Sequence, residues 1–151
     1  MAEFTYSAEQ TVPYGQAAIV NSTSCGCSKG YILHREGSGL VTIRGVVNNP
    51  YNNSARYRCA FSCNIALATG ATLGEIAVAF AIDGEVLQDT IAVATPAAVG
   101  DFWHVSGFIN VDVPKGCCPM IAVENASPQT GTSPNPSIVM RNLNVEVNRI
   151  G

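Results

Sequence analysis

Six cysteines and two histidines are the residues of this 151-residue chain best suited to chemistry, and their spacing limits what that chemistry is. The cysteines stand at 25, 27, 59, 63, 117 and 118. Cys59 and Cys63 fall four apart in an alternating apolar and polar stretch, so at ~3.3 Å per residue an extended backbone separates them by about 13 Å. A disulfide needs Cα atoms within roughly 7 Å, so the two do not bond to each other and read as small hydrophobes of the core. Cys25-Gly26-Cys27 and the vicinal pair Cys117-Cys118 each adjoin a turn glycine, Gly26 or Gly116. If their loops meet, Cys25, Cys27, Cys117 and Cys118 have three outcomes: one or two disulfides, free thiols, or a four-thiolate zinc site. Structural zinc sites space their ligands as C-x2–4-C, which neither pair matches. Synthesis in a cytosol keeps thiols reduced until an assembly leaves the cell. Disulfides come first and zinc last; no metal or cofactor is expected.

The histidines fare no better as catalysts. His34 follows Tyr31-Ile32-Leu33, and His104 follows Trp103. A Cys-His nucleophile would have to join residues such as Cys27 and His34, and nothing in their spacing supports it. Ser22, Ser24 and Ser28 lie in loops without a Gly-x-Ser-x-Gly elbow. Gly37-Ser38-Gly39 and the Gly70 to Gly74 stretch are followed by no Gly-Lys-Ser/Thr, so neither cradles phosphate. The acidic residues are dispersed, without calcium-loop spacing. The expectation is a non-enzyme with no catalytic residue.

The elements that hold these residues are short and extended. Turn signals recur at intervals of about ten to sixteen residues, among them Gly37-Ser38-Gly39, Asn48 to Ser54, Asp83-Gly84, Pro114-Lys115-Gly116 and Pro128 to Pro136, the punctuation of sandwiches and barrels. Ala55, Tyr57, Cys59, Phe61, Cys63, Ile65 and Leu67 fall on one face of a strand, opposite Arg56, Arg58, Ser62 and Asn64. Leu143, Val145 and Val147 oppose Asn142, Asn144, Glu146 and Asn148 in the last one. Ile76 to Ile82 is apolar on both faces, large residues on one and alanines on the other. A neighbouring chain is the favoured cover for the alanine face, a loop the alternative. The spacing predicts an all-β sandwich or barrel of about 8–10 antiparallel strands. Residues 11–151 form the domain, and residues 1–10 an N-terminal attachment segment.

Composition bounds the partners. Apolar residues make up 47% and charged residues 13%, about half the charge usual in soluble domains. So few charges cannot coat a compact monomer, and burial against identical copies is the simplest remedy. Net charge is −3 with scattered Lys and Arg, which excludes a basic footprint for nucleic acid. No apolar run reaches the roughly 18 residues of a membrane helix, so no membrane insertion is expected. The first ten residues lack the features of a signal peptide, which points to cytoplasmic synthesis. For that reason the Asn-x-Ser/Thr patterns at Asn21, Asn52 and Asn125 are discounted as glycosylation sites. Tyr51 and Asn52 sit in a loop that could stack on and hydrogen-bond a sugar. Phe102 and Trp103, beside Asp101, are candidates for a subunit interface, where rigid aromatics are enriched.

The order of segments resembles a known family. Thr11-Val-Pro-Tyr-Gly-Gln-Ala-Ala-Ile-Val20 leads to Tyr31-Ile-Leu-His-Arg-Glu-Gly-Ser-Gly-Leu-Val-Thr-Ile-Arg-Gly45, then Ala55-Arg-Tyr-Arg58 and the hairpin Ile76 to Val86. Val105 to Val113 passes through Pro114-Lys-Gly-Cys-Cys118 into Ile121-Ala-Val-Glu-Asn125, and Leu143-Asn-Val-Glu-Val147 closes the chain. This resembles the trimeric jelly-roll proteins of the tumour-necrosis-factor and complement-head type, nearest to those of Firmicutes and their phages. Among these are tips of collagen-like spore-surface glycoproteins and virion decoration or fibre proteins. The resemblance narrows the sandwich or barrel to a two-sheet jelly-roll sandwich. It implies a non-enzymatic homotrimer on a virion or other extracellular surface, with a capsid or appendage protein or surface glycans as partners. The chain departs from that family in having no collagen-like stalk.

Overall fold

The alternation is realised in a computed structural model that describes residues 2–22, 30–45 and 50–151. Two six-stranded sheets face each other, every pairing antiparallel. The first holds β1 (Ala2–Tyr6), β2 (Gln10–Val12), β3 (Asn21–Ser22), β6 (Ser54–Leu67), β10 (Trp103–Pro114) and β12 (Ile138–Arg149). Its order is β10-β6-β12-β1-β3, with β2 also on β12. The second holds β4 (Ile32–His34), β5 (Val41–Ile43), β7 (Ile76–Ile82), β8 (Glu85–Val86), β9 (Ala92–Ala94) and β11 (Met120–Asn125). Its order is β4-β5-β11-β7-β8, with β9 also on β7. The strands beyond the expected eight to ten are pieces such as β3 and β8, of two residues each, too short for alternation to register.

The core lies where the two inner faces meet. Tyr57, Cys59, Phe61, Cys63 and Ile65 of β6 point in together, each at most 2% exposed. Phe61 meets Phe80 of β7 edge-on, centroids 4.9 Å apart at 88°. That geometry adds about 0.5–1.5 kcal/mol to the burial of the two rings. At one edge of the core, the Tyr57 hydroxyl donates to the Arg44 carbonyl at 2.5 Å, so its polar tip is satisfied. Asn125 at the end of β11 is fully buried and fully used. Its amide donates to the Val12 and Pro136 carbonyls, both at 2.9 Å, and its Oδ1 accepts from the Ser127 N–H at 2.9 Å. One side chain thereby ties the end of β2 to both ends of the segment that joins β11 to β12.

Two features differ from the sequence expectations. β1 lies between β12 and β3, with Phe4 only 3% exposed, so part of residues 1–10 belongs to the sandwich. The alanine face of β7 needs no neighbouring chain. Ala77, Ala79 and Ala81 are at most 2% exposed within one chain. After the Asp83-Gly84 turn, whose φ values of 51° and 85° suit a two-residue hairpin, the chain folds back along β7. Leu87 N–H bonds the Phe80 carbonyl at 2.8 Å, and Thr90 Oγ1 accepts from the Phe80 N–H at 2.9 Å.

Candidate functional site

β10 is the edge of the first sheet, and its register on β6 sets an outward row rung by rung. Asp112 faces Arg56, Asn110 faces Arg58, Phe108 faces Ala60, Ser106 faces Ser62 and His104 faces Asn64. The charged and amide rungs are closed. Arg56 donates twice to Asp112, at 2.8 and 3.0 Å, and Arg58 Nε donates to Asn110 Oδ1 at 3.4 Å. His104 Nδ1 meets Asn64 Oδ1 at 3.3 Å. The hydrogen bonds from Arg56 hold the Asp112 carboxyl below its usual range. Both side chains are 54% exposed, so this pair contributes little to folding, but it neutralises that corner of the face. On the far side, Asn144 of β12 donates to Glu3 of β1 at 2.8 Å.

The Phe108–Ala60 rung breaks the polar row. Phe108 is 68% exposed in the middle of β10. Next to it, a Cβ added to Gly107 would stand 2.8 Å from the Phe61 ring and 3.1 Å from the Thr90 carbonyl, so a glycine lets the edge strand close over the core. An open hollow of about 490 Å³ adjoins Phe108, bounded by Ala60, Ser106, Asp89 and Ile91. Polar groups already bonded to one another lose little on leaving water, whereas unbonded ones lose about 1–3 kcal/mol each. An exposed ring on a face whose charged and amide rungs are closed is therefore cheap to cover.

Phe102 and Trp103 lie at one end of this face. The Arg141 guanidinium sits 3.8 Å above the Phe102 ring, half-burying it. Trp103 is 48% exposed, with its indole N–H donating to Asp101 at 3.2 Å. Sequence reasoning settled on this pair and passed over Phe108. The signal was there: a lone aromatic on the polar side of a strand whose companions are His104, Ser106, Asn110 and Asp112.

The other candidates gather elsewhere. Tyr51, 92% exposed, and Asn52 precede β6, and the Lys115 N–H bonds the Asn53 carbonyl at 2.8 Å. That bond sets their loop against the turn bearing Cys117 and Cys118, both exposed free thiols. Cys25 and Cys27, and with them the expected disulfide and the Cys27–His34 pairing, lie outside the described residues. The His34 side chain is 2% exposed, its ring 4.9 Å from Phe4 and its Nε2 2.9 Å from the Ser38 carbonyl, the setting of a packed histidine.

Cys59 and Cys63 are buried free thiols, as the spacing required, and burial pushes each up to about 12. The thiolate is the reactive form. A thiol reagent at neutral pH is therefore expected to label Cys117 and Cys118 in the folded protein and to spare Cys59 and Cys63 until denaturant is added. Peptide mass spectrometry reads the difference.

Among solved structures, the sandwich is similar to the globular domain of zebrafish complement 1qA protein, with a TM-score of 0.62 and 11% identity over 97% of this chain and 92% of that one. A more distant likeness, TM-score 0.37 and 14% identity over 82% of this chain and 89% of the other, is to the EclA C-terminal domain, a sugar-binding protein. No family model matches the sequence, and no curated protein matches it. The first likeness establishes the two-sheet jelly-roll.

Proposed function

We propose that this chain is a non-enzymatic, homotrimeric display module of a particle surface that self-associates through the outer face of its first sheet. The observation that carries the proposal is Phe108, 68% exposed midway along the edge strand β10, with the Asp112–Arg56, Asn110–Arg58 and His104–Asn64 rungs of the same face bonded across the pair. A central aromatic ringed by polar groups is the usual anatomy of a protein interface. A charged fraction of 13% agrees with surface lost to identical copies, and the sequence order resembles that of trimeric jelly-roll proteins. In that setting the chain decorates a virion or caps a fibre, held to a capsid or appendage protein, after synthesis in the cytoplasm.

Footprinting with a photoactivated carbene tests the interface. Phe108 and Tyr51 are both open to solvent in one chain, at 68% and 92%. In solution Tyr51 is expected to react and Phe108 to be protected. Comparable labelling of both would defeat the proposal.

A second reading rests on Tyr51 itself: an exposed ring beside Asn52 at one end of the sandwich suits a loop that stacks on a sugar. In that reading the module binds carbohydrate or a receptor within a bacterial-surface or spore-coat assembly. A glycan-array signal abolished by Tyr51→Ala supports it, and one unaffected by that change removes it.

A further inference from the structure

We infer that the outer face of the second sheet carries a pocket for a small organic cation, an ammonium on a short apolar body, with Glu124 as its counter-ion. Alternation along β11 sends Val123 into the core and Glu124 to the opposite side. There Glu124 lies at the wall of a cavity of about 460 Å³, within the ~300–1,000 Å³ usual for small-molecule sites.

Glu124 is only 7% exposed, yet among the described residues no hydrogen bond or ion pair reaches its carboxylate. Its chain neighbour Asn125 spends its side chain on three other hydrogen bonds and gives none to Glu124. Burial also pushes the Glu124 carboxyl above its ordinary range. Neither oxygen of this carboxylate is fully sealed from solvent, so a cation reaching it from the open side of the cavity meets a charge only partly shielded by water.

The rest of the lining selects the ligand. Glu75 adds a second acidic group, Gln88 and Tyr14 add neutral polar ones, and Val86 and Ile91 give an apolar wall. No lysine, arginine or histidine lines the cavity among the described residues, which disfavours an anion. A hard dication asks for six to eight oxygen ligands. Among the described residues no three acidic, histidine or cysteine side chains converge, so an organic cation fits better than a metal. None of the lining residues comes from the strands of the first sheet; the pocket and the hollow beside Phe108 share only Ile91 among their lining residues, and Glu124 belongs to the pocket alone.

Calorimetry on the full chain at neutral pH, with n-butylammonium and n-butanol as probes, tests the inference. The ammonium is expected to bind saturably and roughly tenfold or more tightly than the alcohol. Glu124→Gln, close in shape and uncharged, is expected to fold with a raised melting temperature and to lose binding by roughly tenfold or more. Phe108→Asp should bind the ammonium as the wild type does, which separates this pocket from the assembly. The absence of saturable binding by the wild type, equal affinity for both probes, unchanged binding in Glu124→Gln, or calcium binding in place of the amine would each overturn it.

Discussion

Phe108→Asp is expected to leave a folded monomer in place of the proposed trimer. The ring is 68% exposed in a single chain, so its loss removes almost no core packing. Substitutions at such positions usually shift chain stability by no more than about 0.5 kcal/mol. At a subunit contact the effect is different. A central aromatic is worth about 2–4 kcal/mol, and an aspartate in its place brings a charge that must be stripped of water. At 1.4 kcal/mol per tenfold, each contact is expected to weaken by about a thousandfold or more. Gel filtration with far-ultraviolet circular dichroism separates this from unfolding: the elution volume should move while the β spectrum stays.

Asn125→Ala is expected to produce the largest loss of stability of any single side-chain truncation outside the apolar core. The amide is fully buried and bonds Ser127 and Pro136 within the segment that follows it and Val12, which is 113 residues away in the sequence. Truncation removes three hydrogen bonds of about 1 kcal/mol each and strands buried carbonyls at additional cost. The sum, roughly 3–5 kcal/mol, is a large part of the 5–15 kcal/mol that holds a domain of this size together. A drop of about 6–20 °C in melting temperature follows at 2–4 °C per kcal/mol. Asn125→Asp should be nearly as damaging, because a carboxylate turned toward the Val12 and Pro136 carbonyls has no proton to give them. Calorimetric melting of both variants checks this.

How far the sequence led depends on which physical signal each feature left. β6 was legible residue by residue, because Ala55 to Ile65 alternates without interruption and one face is buried. β12 was legible only from Leu143 onward. Its register shifts between Arg141 and Asn144, with Asn142 at φ 55°, and this bulge reverses the parity: Ile138 and Met140 face inward before it, Leu143 and Val145 after it. A strict period of two cannot be followed across an extra residue. The alanine face of β7 was recognised as needing cover, but alternation does not say whether the cover is the same chain or another. The same blindness hid Glu124. Its place opposite Val123 was readable, while the cavity that encloses it is walled by Tyr14, Val86 and Ile91, which only the fold brings together. Phe108 was open to inspection, as a single aromatic among polar companions on one strand face.

The central claim is that identical copies cover the Phe108 face, and multi-angle light scattering on the purified chain, followed through serial dilution, tests it most directly. The account predicts a single species of three times the 15.8 kDa chain mass that gives way to smaller species only at low concentration. A mass of one chain, constant up to the highest concentration that stays in solution, would contradict it.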